Sequence, residues 1–108
     1  MSKYRSVKVT MDGKIFDSKK EARRYVILKD MERHGEIRDL QTQVRFQLIP
    51  SQRENGKCIE REVSYKADFT YWQNGKMIVE DTKGVRTPEY VIKRKLMLWV
   101  HGIKVKEI

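Results

Sequence analysis

The dipeptide Asn74-Gly75 constrains the fold of this chain more than any other feature of its sequence. A type I′ hairpin turn needs a positive φ at both central residues, and Asn-Gly is the strongest short signal for it. A two-residue loop at these positions fixes the pairing of the strands on either side. The register then places Thr70 opposite Val79 and Asp68 opposite Asp81. The sequence therefore predicts that two carboxylates meet across a strand pair.

Length and composition set the broad class of protein. A chain of 108 residues is expected to form a single domain, 1–108, with a modest core. Its apolar runs stay well below the ~18 residues of a membrane span, and the first ten residues lack a signal-peptide pattern. Cys58 has no partner for an internal disulfide, which suits a reducing compartment. We therefore expect a cytoplasmic protein without membrane association.

The positive charge is concentrated at the two ends of the chain. The formal net charge is +9; residues 1–35 contribute +5, residues 36–82 contribute −1 and residues 83–108 contribute +5. Basic flanks around a near-neutral centre are typical of a protein that binds a polyanion, most often nucleic acid. The alternative is a basic surface without a specific partner.

Turn signals and apolar spacing predict the order hairpin, helix, three strands, helix, strand. This order indicates an α/β fold in which helices pack on a mixed sheet. The predicted elements are a hairpin over 7–18, a helix over 18–35, strands over 37–50, 58–72 (with a bend midway) and 76–84, a helix over 87–102 and a strand over 103–108.

Both helices carry clear end signals. Ser18 and Glu21 have capping-box spacing, and Gly35 follows the first helix as a stop. Thr87 as N-cap and Pro88 at the first helical position begin the second helix, and Gly102 ends it. The apolar stripe of the first helix consists of Ala22, Tyr25, Leu28 and Met31. That of the second consists of Ile92, Leu96 and Trp99.

The facing pair Asp68 and Asp81 predicts a cation site. Two charges about 5 Å apart repel by roughly 3 kcal/mol at an effective dielectric near 20. Mg²⁺ prefers carboxylate oxygens and keeps several waters, so two Asp and a substrate phosphate form a plausible shell. Lys83 lies two residues beyond Asp81 on the same face of the strand, where it could bind the attacking water or the phosphate.

Glu21 has two interpretations. As the third residue of the first helical turn it is explained by capping alone. It also lies one turn before Tyr25 on the buried edge of the helix, where its carboxylate could face the sheet and complete a metal site. The neighbouring acid Glu80, which the register places across from Phe69 on the other face, is interpreted as structural or as a support for the site.

An acid followed on the next strand by D-x-K, here Asp68 and then Asp81-Thr82-Lys83, resembles the PD-(D/E)XK nuclease superfamily. With Glu21 on the preceding helix, the arrangement is similar to archaeal-type Holliday-junction resolvases and to transposon-end-cleaving endonucleases. The chain also resembles small phage and prophage proteins of this superfamily through "FDSKKEARRY", "YKADFTY" and "VEDTKG". Ala67 departs from the proline of the family name, and Asp81 replaces the commoner glutamate.

The resemblance implies a restriction-endonuclease-like α-β-β-β-α-β core after an N-terminal hairpin. It further implies a homodimer in a bacterial host cell, a Mg²⁺ cofactor that Mn²⁺ could replace, no organic cofactor, and Glu21 as a metal ligand. Basic residues on the two helices would contact DNA phosphates, which position a duplex without reading its sequence; a solvated helix face is the alternative for the second group. These residues are Lys19, Lys20, Arg23 and Arg24 on the first helix and Lys93, Arg94 and Lys95 on the second.

The remaining reactive side chains have simpler explanations. His34 and His101 lie at helix ends, where the helix dipole favours a positive charge. Cys58 lies in no motif. Gln43, at the beginning of an extended segment, is interpreted as an exposed strand residue rather than as one that faces the site.

The sequence thus predicts a Mg²⁺-dependent endodeoxyribonuclease, with Glu21, Asp68, Asp81 and Lys83 as its catalytic residues. A chain this small offers little surface for reading bases, so selectivity for DNA structure, such as a branched junction, is expected over sequence recognition. Two other functions stay open. One is a basic DNA-binding module without catalysis, and the other is an RNA-processing nuclease with the same site.

Overall fold

The computed structural model describes residues 7–82 and 85–108 and shows an α/β fold. Two helices accompany a central sheet and two small hairpins. In chain order the elements are β1 (Val9–Met11), β2 (Lys14–Phe16), α1 (Lys19–Arg33), β3 (Arg38–Ile49), β4 (Gln52–Glu54), β5 (Lys57–Glu60), β6 (Val63–Gln73), β7 (Lys76–Asp81), α2 (Pro88–His101) and β8 (Lys106–Glu107). Over these described ranges, neither helix is long and apolar enough to cross a membrane.

The central sheet is mixed and has the strand order β3-β6-β7-β8. The first three strands pair antiparallel, and β8 pairs parallel to β7. Helix α2 lies between β7 and β8 in the chain, as the crossover that joins parallel strands requires. The order α1-β3-β6-β7-α2-β8 is the predicted α-β-β-β-α-β order, so the α/β prediction is confirmed.

The Asn74-Gly75 turn forms as predicted. Both residues have a positive φ, +52° and +78°. The strands pair from Gln73 opposite Lys76 to Phe69 opposite Glu80. These pairs confirm the register predicted from Asn74-Gly75, and one further step of it would place Asp68 opposite Asp81.

The chemistry of the helix ends also follows the sequence. The Ser18 hydroxyl accepts a hydrogen bond from the Glu21 N–H at 3.1 Å, and Thr87 accepts one from Tyr90 N–H at 3.1 Å. Gly102 ends α2 in the left-handed conformation with φ +68°. The stripe of α1 is buried as expected, with Met31 packed at its margin.

Two hydrophobic clusters fill the protein. The α1 cluster contains Phe16, Ala22, Tyr25, Leu28, Ile37, Phe69 and Tyr71, and the α2 cluster contains Leu48, Tyr65, Ala67, Val79, Tyr90, Met97 and Val105. On β7, Ile78 packs against the α1 cluster, while its neighbour Val79 belongs to the α2 cluster. Because successive strand residues point to opposite faces, the clusters lie on opposite faces of the sheet.

Two details differ from the sequence predictions. Helix α2 buries Tyr90 and Met97, whereas Ile92 and Trp99 of the predicted stripe are 59% and 85% exposed. The predicted strand over 58–72 is divided into two strands. Its first part, β5, pairs with β4 across the Asn55-Gly56 turn in a separate exposed hairpin. Only β6 continues into the central sheet.

Candidate active site

The carboxylate site is defined as Glu21, Asp68 and Asp81. It lies at the end of the β6–β7 hairpin that is away from the Asn74-Gly75 turn. Asp68 Oδ2 accepts hydrogen bonds from the Thr82 N–H and the Thr82 hydroxyl, both at 2.8 Å. Asp81 is 2% exposed, and its Oδ2 accepts a hydrogen bond from the Tyr65 hydroxyl at 2.6 Å. Asp81 is therefore held by Tyr65 of β6, and Asp68 is held by Thr82, the residue just after β7.

The three carboxylates share one electrostatic environment. Burial, followed by the charges of Asp68, Asp17 and Asp81, raises the pKa of Glu21 to about 7, against the pull of its hydrogen bond from the Asp17 N–H. The pKa of Tyr65 is raised by burial and also by both Asp81 and Asp68. Since Asp68 and Asp81 act on the same two groups, their charges converge on one region of the protein.

Glu21 makes a capping contact and also faces the sheet. Its Oε1 accepts a hydrogen bond from the Asp17 N–H at 3.3 Å, which helps to cap α1. Its Oε2 accepts one from the Gln43 side-chain amide at 2.7 Å. The residue is 2% exposed. A buried carboxylate near two others is costly unless a proton or a cation compensates it.

Gln43 is the site residue for which the sequence interpretation was wrong. It is half-buried inside β3, and its φ of +55° lies in the left-handed region, which is unusual for a residue other than glycine. The register on either side of it, Thr42 with Phe69 and Val44 with Ala67, places it opposite Asp68. Backbone strain of this kind is found disproportionately at functional sites.

At this point the side chains of β6 switch from one hydrophobic cluster to the other. Tyr65 and Ala67 of β6 belong to the α2 cluster. Phe69 and Tyr71, which strict alternation would place on the same side, belong to the α1 cluster. The change falls at Asp68, opposite the strained Gln43. Asp68 here lies within electrostatic reach of Glu21 on α1.

The donor chemistry of the carboxylate site suits a hard cation. The candidate ligands are carboxylate oxygens, which Mg²⁺ and Mn²⁺ prefer over softer donors. Within residues 7–82 and 85–108, no group of three or more Asp, Glu, His or Cys side chains is drawn together closely enough to hold a metal ion as it stands. Mg²⁺ needs only one or two protein carboxylates, because it retains water and binds substrate phosphates. Asp68 and Asp81 are thus of the ligand type and number that such an ion takes from a protein.

Lys83, the fourth predicted catalytic residue, lies outside the described residues. The predicted phosphate-binding residues occupy different environments. Arg24 is bound to Glu80, with Nε at 2.8 Å from Oε1 and Nη2 at 2.7 Å from Oε2, so its guanidinium is committed to the protein interior. Lys93 pairs with Glu89 at 3.0 Å, and Arg94 lies 3.3 Å from Glu107. The side chains exposed to solvent are Lys19, Lys20, Arg23 and Lys95.

Glu80 has the structural role predicted for it. It lies opposite Phe69, is fully buried, and accepts hydrogen bonds from Arg24 and from the Tyr71 hydroxyl. Arg24 lies on α1 and Tyr71 on β6, so this ionic contact joins the helix to the sheet. Glu80 is thereby separated from the carboxylate site, although it is the neighbour of Asp81 in the chain.

The fold and site together define an α/β protein with acidic side chains at the end of a central hairpin and a basic exterior. The chain belongs to the DUF1064 family, described as a protein of unknown function, whose model matches residues 1–106. No curated protein and no solved structure matches the chain.

Replacing Glu21 by glutamine should remove much of the pH dependence of stability. Between pH 4.5 and about 7 the folded protein holds a proton on Glu21 that the unfolded chain has released. Stability therefore falls as the pH rises through this window, by about 3 kcal/mol in total for a shift of this size. Urea unfolding at pH 4.5 and pH 8, in chelator, should show this loss in the wild type and not in Glu21→Gln. The exposed Glu36→Gln is the matched control, and an equal loss in all three proteins would contradict the assignment.

Glycine at position 43 should be better tolerated than alanine. At an ordinary strand position alanine is the more stable of the two, but a left-handed backbone costs a residue with a Cβ about 1 kcal/mol or more. Both variants lose the hydrogen bond to Glu21, so their difference isolates the backbone. Chemical denaturation should place Gln43→Gly about 1 kcal/mol above Gln43→Ala. The order should reverse at Gln41, an exposed residue of the same strand; alanine above glycine at both positions would refute the strain.

Proposed function

We propose that this protein is a Mg²⁺-dependent endonuclease that hydrolyses phosphodiester bonds in DNA. The observation that carries the proposal is that Asp68 and Asp81, at one end of the β6–β7 hairpin, both act electrostatically on the buried carboxylate of Glu21. Glu21 and Asp81 are only 2% exposed, and the charges of Asp68 and Asp81 raise the cost of ionising Glu21. Buried carboxylates with a raised pKa cluster at functional sites, and cation binding is the function that their chemistry favours.

The proposed roles follow from the contacts of each side chain. Asp68 and Asp81 would hold the divalent cation, with Glu21 completing the site. When bound, the cation supplies positive charge to the scissile phosphate and activates water for attack. Thr82 and Tyr65 fix the two aspartates, and hydrogen bonds of this kind orient metal-binding carboxylates. Lys83, two residues after Asp81, would orient or polarise the attacking water.

DNA is the proposed substrate because of the charge of the protein and the resemblance of its motifs. A net charge of +9 favours association with a polyphosphate. The resemblance to Holliday-junction resolvases favours branched DNA and a phage or prophage protein that acts as a homodimer in a bacterial cytoplasm. Ile92 and Trp99, exposed apolar residues of α2, are side chains that a dimer contact could bury.

A substrate panel tests the proposal. Purified protein is incubated with supercoiled plasmid, a synthetic four-way DNA junction and an RNA duplex, each with Mg²⁺, with Mn²⁺ and with excess chelator. The proposal predicts metal-dependent cleavage of DNA, fastest on the junction. Cleavage confined to RNA would indicate an RNA-processing nuclease instead. DNA binding without cleavage under any metal condition would indicate a non-catalytic binding module.

A further inference from the structure

A cationic surface lies outside the carboxylate site, in the groove between α2 and β8. This α2–β8 groove encloses about 540 Å³. Its charged lining residues are Arg94, Lys95, Lys104, Lys106 and Glu107, and none of the three site carboxylates lines it. Lys104 and Lys106 lie on either side of the buried Val105, so both side chains point away from the core.

The single acid of the groove is already neutralised. Glu107 Oε1 accepts a hydrogen bond from Arg86 at 2.6 Å, and Oε2 accepts hydrogen bonds from Tyr90 at 2.6 Å and Arg94 at 3.3 Å. Tyr90, then Arg86 and Arg94 lower the pKa of Glu107 to about 2. The carboxylate thus balances the charge of the arginines and leaves none to balance the lysines.

Three lysines of the groove therefore present uncompensated charge. Lys95, Lys104 and Lys106 are exposed. Within the part of the chain that the structure describes, none of the three has an ion pair or a side-chain hydrogen bond. An exposed ammonium group keeps its hydration and its conformational freedom until an anion arrives. The α2–β8 groove is consequently a positively charged surface.

The cations continue beyond this groove. Lys104 and Lys106 also line a neighbouring cavity of about 500 Å³, together with Lys76 and Trp72 of the β6–β7 hairpin. A row of cations across two adjoining cavities suits a chain of phosphates better than a single small anion.

Protection of a sheet edge explains only part of this surface. The strand β8 is the last in the sheet order, and lysines on edge strands discourage pairing with another chain. That explanation covers Lys104 and Lys106. It does not cover Lys95 on the helix across the groove or Lys76 on the neighbouring hairpin, which face the same two cavities.

We infer that the α2–β8 groove, extended by Lys76, binds the sugar-phosphate backbone of a nucleic acid. The contacts are electrostatic and independent of base sequence. They deepen the proposed function, since the polymer is DNA only if that proposal holds. The groove then grips the substrate away from the carboxylate site and contributes affinity without taking part in the cleavage step.

The test is binding in excess chelator, where cleavage is suppressed. Fluorescence anisotropy of a labelled DNA duplex is measured against salt for the wild type, for Lys104→Glu/Lys106→Glu and for the milder Lys104→Gln/Lys106→Gln. The control, Lys57→Glu/Arg61→Glu, makes the same charge change at exposed positions on and just beyond the separate β4–β5 hairpin. Circular dichroism establishes that each variant is folded.

The groove double reversal should weaken binding at least tenfold and reduce the slope of log K against log salt by about 2. The control should weaken binding much less, because it changes only the overall charge. Equal weakening by the two double reversals, or wild-type affinity in the groove variants, would overturn the inference. The outcome is separable from the nuclease proposal. If binding depends on the groove but no metal-dependent cleavage occurs, only the nuclease proposal is refuted. If cleavage occurs but binding does not depend on the groove, only the groove inference is refuted.

Discussion

Replacing Asp81 by asparagine is expected to reduce Mg²⁺-dependent DNA cleavage at least 100-fold while leaving the protein folded. Asparagine preserves the shape of the side chain and an oxygen that can accept the hydrogen bond from Tyr65. It removes the negative charge that would hold the cation. A bound metal ion contributes several kcal/mol to charge stabilisation in the transition state, and about 1.4 kcal/mol corresponds to each factor of ten in rate. Asp68→Asn should behave alike, because Thr82 can still donate to its oxygen.

The matched control for both changes is Asp39→Asn. Asp39 is an exposed acid at the beginning of β3 with a φ of +55°, a conformation that asparagine also tolerates. This variant should cleave at the wild-type rate. Initial rates on the four-way junction, measured at matched protein concentration, give the comparison. Cleavage by Asp81→Asn within tenfold of the wild type would remove this carboxylate from the mechanism.

The second large effect concerns stability. Arg24→Met is expected to destabilise the protein by about 3–5 kcal/mol, the usual cost of removing one partner from a buried ion pair. Glu80 is fully buried, and among the described residues the change leaves its charge with the Tyr71 hydroxyl as the one remaining donor. Methionine retains much of the apolar stem of arginine, so the loss reports the charge. For a domain of this size, the melting temperature should fall by about 12 °C or more.

A rescue variant distinguishes the ion pair from simple loss of packing. Arg24→Met combined with Glu80→Gln removes both charges, and it should recover most of the lost stability, because an uncompensated buried charge is the main penalty. Arg23→Met, at the exposed neighbour on α1, should stay within about 0.5 kcal/mol of the wild type. Thermal and urea unfolding measure all three. Arg24→Met within 1 kcal/mol of the wild type would show that the pair is not important for stability.

The turn and the helix ends are the features of the fold that the sequence could predict. Asn74-Gly75 fixed a strand register because the turn depends on the conformational preferences of two adjacent residues. The helix caps were predictable for the same reason, since Ser18 and Thr87 act on N–H groups three residues away. Local chemistry thus determined the element order and the register of the β6–β7 strand pair.

The features that the sequence analysis missed depend on long-range packing. Arg24 and Glu80 are separated by 56 positions in the chain, and no periodicity marks them as partners. Arg24 was therefore grouped with the other basic residues of the first helix as a phosphate contact. Because glutamine rarely adopts a left-handed backbone, nothing in the sequence marks this conformation at Gln43. The exposure of Trp99 follows from the rotation of α2 about its axis, which Tyr90 and Met97 determine through their contacts with the sheet.

The most direct test of the central claim is the effect of Mg²⁺ on thermal unfolding at pH 8, for the wild type and for Asp68→Asn/Asp81→Asn. A ligand that binds only the folded state at 100 times its Kd stabilises it by about 2.7 kcal/mol, equivalent to roughly 10 °C or more in a domain of this size. The account predicts a saturable rise in the wild type and none in the double variant. A wild-type melting temperature that ignores Mg²⁺, or an equal rise in both proteins, would contradict it.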